Sequence, residues 1–133
     1  MIYRFETEVP LRWVDVDSAG IVNNAVYLSM MEQARYAYLT HLRLMDGHQI
    51  AFVLAEATIR WARPGRLGMQ VSVAAATTRL GTSSFRMCYQ VRADDAVLCE
   101  AEAALVFVGD DGKPQPMPAA FRAAVAQFEE LDA

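Results

Sequence analysis

The sequence predicts an α+β fold in which a five-stranded antiparallel sheet wraps around one long helix, with a short second helix at the C-terminus. Three observations carry this expectation. Five runs show strand-like patterning, several with strict two-residue alternation. One stretch, from Val26 to about Met45, switches to helical spacing. The links between the later runs are short turns, which make successive strands antiparallel neighbours.

The elements follow in order. Tyr3, Phe5, Thr7, Val9, Leu11 and Trp13 alternate with mostly polar neighbours and give a first strand with one buried face. Asp15 to Asn24 is a polar loop containing Gly20. In the long helix, Tyr27, Met30, Met31, Ala34, Ala37, Tyr38 and Leu42 share one side. Asn23 or Asn24 is a plausible N-cap and Asp46-Gly47 a stop signal. Strands then run over Ala51–Arg63, Leu67–Arg79, Ser83–Arg92 and Val97–Val108. Turns at Pro64-Gly65, Leu80-Gly81 and Asp94-Asp95 separate them. Pro114, Pro116 and Pro118 stiffen a connector, after which Phe121, Val125, Phe128 and Leu131 mark the C-terminal helix. One helix cannot cover both faces of such a sheet. Its edges and outer face call for burial against another copy of the chain.

The chain has 133 residues, which suits one domain spanning 1–133. A formal net charge of -4 argues against a nucleic-acid binder. The longest uncharged stretch, Ser18 to Met31, has 14 residues and includes two Asn. A membrane-spanning helix needs roughly 20 apolar residues. The N-terminus lacks the apolar stretch of a secretory signal, so the expected location is the cytoplasm. Cys88 and Cys99 fall out of register across the Asp94-Asp95 turn and read as buried free thiols. Two Cys and two His at these spacings make no metal site.

Chemistry is concentrated at Arg12-Trp13-Val14-Asp15-Val16-Asp17-Ser18-Ala19-Gly20-Ile21-Val22-Asn23-Asn24-Ala25-Val26-Tyr27, running on into Glu32-Gln33-Ala34-Arg35. Two acids one residue apart precede a Gly, an aliphatic pair, a polar pair and a Tyr at a helix start. Attack on a carbonyl carbon needs a carboxylate on one side and hydrogen-bond donors to the developing oxyanion on the other. A loop that carries an Asp and ends in a helix delivers both, because the first helical N–H groups are unpaired and bear partial positive charge.

This stretch closely resembles the 4-hydroxybenzoyl-CoA thioesterase family, the hotdog-fold acyl-CoA thioesterases. The resemblance extends to the strand order and to Pro64-Gly65. It implies hydrolysis of an acyl thioester by a dimer or tetramer. Asp17 acts as general base for water or as nucleophile, and the amide near Asn24 polarises the carbonyl. Asn24 stands where some relatives carry His or Tyr. Gly20, Asn23 and Tyr27 belong to the substrate-binding frame, and Asp15 to the structural one. Glu32 is the runner-up base. Coenzyme A enters as part of the substrate, and no separate cofactor is implied. Arg60, Arg63 and Arg66 fall within seven residues, and Arg79, Thr82 and Ser83 flank Leu80-Gly81. Of these, Arg63, Arg79, Thr82 and Ser83 are assigned to the nucleotide end. Gly81-Thr82-Ser83 itself offers hydroxyls and amides but no cation, so coenzyme A and an acyl carrier protein both remain open as carrier. A non-catalytic acyl-binding module is the alternative from another class.

Overall fold

A computed structural model of the chain describes residues 2–45 and 51–132. The elements are β1 (Phe5–Glu8), a 3-10 turn (Trp13–Asp15), α1 (Val26–His41), β2 (Phe52–Trp61), β3 (Ser72–Leu80), β4 (Ser84–Ala93), β5 (Ala96–Phe107) and α2 (Ala119–Glu129). The strands form one antiparallel sheet in the order β1-β3-β4-β5-β2. This is the expected five-stranded sheet around a long helix with a short C-terminal helix.

The order corrects one expectation. β2 and β3 follow each other in sequence but are not neighbours. β2 pairs with β5 at one edge, and β3 lies between β1 and β4. Pro64-Gly65 is therefore part of a crossover, not of a hairpin. The amides of Ala62 and Arg63 both donate to Leu98 O, at 2.8 and 3.1 Å, so the chain leaves the ladder along β5. Leu67 N then donates to Gly20 O at 2.9 Å, and Gly68 takes a φ of 97°. These features hold residues 67–70 off the sheet, Val71 O accepts Val9 N at 2.9 Å, and β3 starts at Ser72 rather than Leu67.

The first strand is also shorter than its alternation predicts. It ends at Glu8, before Pro10, which has no N–H for a ladder. Trp13 lies in the 3-10 turn and is 79% exposed, not on a buried face.

β4 follows its alternation. Phe85, Met87, Tyr89 and Val91 are buried on the inner face. The inner face packs against Tyr27, Met30, Met31, Ala34, Tyr38 and Leu39 of α1. A turn with positive φ at Asp94 and Asp95 joins β4 to β5. Cys99 belongs to this inner core, whereas Cys88 sits on the opposite face of the sheet, so the two are free thiols. Burial pushes the Cys99 thiol up to about 11.

α2 closes one end of the sheet. Phe121 stacks on Phe85 and Phe107 at 4.9 and 5.0 Å between ring centroids. Its last turn is fastened by Glu129, whose buried carboxylate accepts the Tyr38 hydroxyl and Thr77 N–H, each at 2.7 Å. The expected helix stop at Asp46-Gly47 lies outside the described residues, as does His48; α1 ends at His41, which stacks on Phe5 and Phe128. Among the described residues no helix is long and apolar enough to cross a membrane.

Candidate functional site

The segment from Arg12 to Ala25 folds as a miniature hairpin that feeds α1. Asp15 is its base. The carboxylate accepts Arg12 N at 2.8 Å on Oδ2 and the Arg12 guanidinium on both oxygens. Those hydrogen bonds hold the Asp15 carboxyl below the usual carboxylate range despite its burial. Asn23 N then donates to Asp15 O at 3.0 Å, Val16 bridges Val22, and Asp17 N donates to Ile21 O at 2.9 Å.

Asp17 thus occupies the tip of this ladder, exposed to solvent. Its Oδ1 accepts Ala19 N at 2.9 Å and Ile21 N at 3.0 Å. Oδ2 accepts nothing among the described residues. One oxygen fixes the carboxylate, and the residue remains exposed to solvent. Gly20 closes the tip with a φ of 76°, where a Cβ would touch nothing. Its requirement is conformational rather than steric.

The helix start does not use the predicted cap. Ala25 occupies the N-cap position, and neither Asn side chain makes a capping bond. Short backbone bonds replace it: Val26 N to Asn23 O at 2.9 Å and Leu28 N to Ala25 O at 3.3 Å. The amides of Asn24 and Ala25 donate to no backbone carbonyl among the described residues. The Asp17 rung lies about 7 Å along the ladder from the Asn23 rung, at ~3.4 Å per residue.

The β2–β3 crossover seats this loop from behind. Val22 N donates to Gly65 O at 2.9 Å, and Ile21 bridges Arg66. Gly65 N donates to the Tyr27 hydroxyl at 3.1 Å, and Trp61 Nε1 donates to Asn24 O at 3.2 Å. Tyr27 is buried, with its phenol raised by desolvation, so the structure places its hydroxyl against the crossover rather than in an open pocket. Trp61 and Gly65 meet the candidate site in ways their local sequence does not mark. Trp61 reads as one more apolar strand residue, and Pro64-Gly65 reads as an ordinary turn.

The basic residues divide. Arg60 is spent on Glu100 at 2.7 Å. Arg63 and Arg66 are exposed beside the acid loop and form no ion pair among the described residues. Arg79, Thr82 and Ser83 sit at the opposite end of the sheet. β3 runs from Ser72, which pairs with Glu8, to Leu80, so the two ends are about 25 Å apart at ~3.3 Å per residue. Within one chain, Asp17, Gly20, Asn23, Asn24, Tyr27 and Arg63 come together, and Arg79, Thr82 and Ser83 do not join them. The far turn nevertheless has a cation. Arg122, from the first half of α2, donates to Gly81 O, and Met117 N donates to Thr82 O at 2.9 Å. Nothing in the local sequence marks Arg122, because α2 is legible only through its apolar spacing.

A cavity of about 500 Å³ opens between α1 and the sheet, lined by Met31, Leu39, Phe52, Ala57 and Ala103 with Glu32 and Arg35. Met30, Met31 and Ala34 are all packed into the core, and of the three only Met31 also lines this cavity. Glu32 is exposed and makes no ion pair with Arg35, which donates to the Tyr89 hydroxyl at 2.8 Å.

Comparison with known proteins matches this arrangement. A family model described as the thioesterase-like superfamily covers residues 11–125. A Thermus thermophilus thioesterase, solved complexed with coenzyme A and Zn, is 34% identical, superposes with a TM-score of 0.86 and covers 98% of each chain. Among the described residues of the present chain, no three His, Cys, Asp or Glu side chains converge as a metal site would need. The acyl-CoA thioester hydrolase YbgC of Escherichia coli O6:H1 is 29% identical over 95% of this chain and 96% of its own. The long-chain acyl-CoA thioesterase FadM of Escherichia coli K12 is 28% identical over 83% of this chain and 86% of its own. With the acid loop, the helix start and all five strands inside or beside the matched span, the chain belongs to the thioesterase-like superfamily, the hotdog-fold thioester hydrolases.

Proposed function

We propose that this chain hydrolyses an acyl-CoA thioester, giving a carboxylic acid and free coenzyme A, with Asp17 as the working carboxylate. The observation that carries this is the division of labour within Asp17: Oδ1 is anchored by two loop amides, while Oδ2 accepts no hydrogen bond among the described residues. Two routes use such a group. As general base it takes a proton from water, whose oxygen adds to the thioester carbon. As nucleophile it adds directly, expels the thiolate and leaves a mixed anhydride that water cleaves. In both routes, negative charge gathers on the carbonyl oxygen, and the open amides at Asn24 and Ala25 stand at the positive end of α1 to receive it.

The names of the relatives support a coenzyme A thioester as substrate. The separated ends of the sheet favour a homo-oligomer. β2 is an edge strand with Val53 49% and Leu54 44% exposed. Antiparallel pairing of two β2 edges sets the Phe52 end of one copy beside the Trp61 end of the other. That pairing turns Arg79, Thr82, Ser83 and Arg122 of one copy toward the end that carries Asp17 in the other. A tetramer would then pack two such pairs.

The Asp17 anchorage also suits a loop brace in a non-catalytic acyl-binding module, and one substitution separates the two readings. Asp17→Asn keeps an acceptor at Oδ1 and so keeps the loop. Turnover in a thiol-release screen over short, long, branched and aromatic acyl-CoAs is expected to fall roughly a hundredfold to ten-thousandfold. Hydrolysis near the wild-type rate by the Asn variant would remove Asp17 from catalysis. Tight binding of a non-hydrolysable acyl-CoA by the unaltered protein, without thiol release, would favour the module.

A further inference from the structure

The crossover from Trp61 to Leu67 touches the acid loop and the start of α1 at five places. Trp61 holds Asn24 O, Gly65 holds Val22 N and the Tyr27 hydroxyl, Arg66 bridges Ile21, and Leu67 holds Gly20 O. Gly20, Ile21 and Val22 of the acid loop and Asn24 and Tyr27 at the helix start are thereby tied to one short segment. Gly65 is the tightest point. A Cβ there would lie 2.9 Å from the Tyr27 hydroxyl, 3.1 Å from Val22 and 3.3 Å from Leu98. Arg63 and Arg66, with exposed side chains and no ion pair among the described residues, project from the same segment.

We propose that the 61–67 crossover is a positioning strut that converts binding of the substrate's phosphate-bearing end at Arg63 and Arg66 into alignment of Asp17 with the α1 amides, and that the Tyr27–Gly65 hydrogen bond is its joint. The inference rests on the acyl-CoA hydrolase reading above. Binding energy from a remote part of a substrate raises kcat only when it is transmitted to the reacting groups. Tyr27 acts through Asp17 and the helix amides, as a positioning residue, and touches no reacting atom.

The test compares the acyl-CoA turned over fastest in the screen with the same acyl group on pantetheine, which lacks the nucleotide phosphates. The wild-type protein is expected to show a kcat about tenfold or more higher for the CoA ester, the scale on which small misplacements cost rate. Tyr27→Phe, which deletes only the hydroxyl, should bring the two kcat values to within about twofold of each other while KM for the CoA ester changes little. A purely structural loss lowers both kcat values in parallel and leaves their ratio intact. An unchanged ratio in Tyr27→Phe, or equal kcat values in the wild-type protein, overturns the proposal. Should Tyr27→Phe fail to fold, Arg63→Ala/Arg66→Ala, altered only at exposed side chains, must show the same collapse of the ratio, and an unchanged ratio there overturns it equally. Failure of the underlying reading is distinguishable, because it appears as acyl-CoA binding without thiol release by the unaltered protein, or as full activity in Asp17→Asn.

Discussion

Two aspartates one residue apart do different work, and the difference lies in their partners. Asp15 is buried and has both oxygens occupied by Arg12. Asp17 is exposed and has one oxygen unoccupied among the described residues. The Asp15 carboxyl is depressed chiefly by its side-chain hydrogen bond with Arg12. A depressed folded value stabilises the protein above the unfolded value of about 4, and the contribution is lost as pH falls through the folded value. Asp15→Asn cannot titrate, so its urea midpoint should lose less than the wild type between about pH 5 and pH 2. Equal acid slopes for the two proteins would mean that Asp15 is not coupled to folding. The roles of this pair are partly legible in the sequence: the two-residue spacing and the Gly place them in one loop. Which oxygen is free is not legible, because that depends on the Ala19 and Ile21 amides meeting Oδ1.

The elements divide into those that read locally and those that do not. α1 and β4 show their burial in their own period, because each presents one face to the core. β2 shows none: eight of its ten residues are exposed in the single chain, so its apolar composition finds no neighbour on which to alternate. The crossover reads as a hairpin because Pro-Gly is a local turn signal. The β1–β3 and β2–β5 pairings that overrule it join residues far apart in sequence. α2 is another long-range case. Its apolar spacing gives a helix, but its docking depends on Glu129 reaching Tyr38 and Thr77, reinforced by Arg4 donating to Glu129 O at 2.8 Å. Glu129→Ala leaves a buried hydroxyl and a buried N–H without this acceptor and should cost about 1–3 kcal/mol in chemical denaturation. Glu129→Gln, which can still accept, should cost less. Equal stability of Ala and wild type would show that the aromatic contacts of Phe121 and Phe128 dock α2 alone.

At the scale of the molecule, the sheet separates two sets of candidate site residues by its own length. A single copy holds the acid at one end and the Thr82-Ser83 turn with Arg122 at the other. Exposed apolar residues run along β2, at Val53, Leu54 and Trp61, and Leu28 and Tyr36 of α1 line a cavity with Val53 and Leu54. Val53→Lys places a charge on this edge, a change that opposes strand pairing. Sedimentation should show a protein of half the wild-type mass. Thiol release should fall with it if the site is shared. An unaltered mass would exclude the β2 edge as the interface.

The burial of the two thiols has a practical consequence. Cys88 and Cys99 are both buried, and the Cys99 thiol is pushed up to about 11. Near neutral pH the folded protein therefore offers little thiolate to a disulfide reagent. Coenzyme A released from substrate can be counted against a nearly silent background, without altering either cysteine. The same reagent becomes a clock for global opening. Cys99 belongs to the inner core, and its labelling waits on that core coming apart, so its rate in the absence of substrate reports how often the native structure opens.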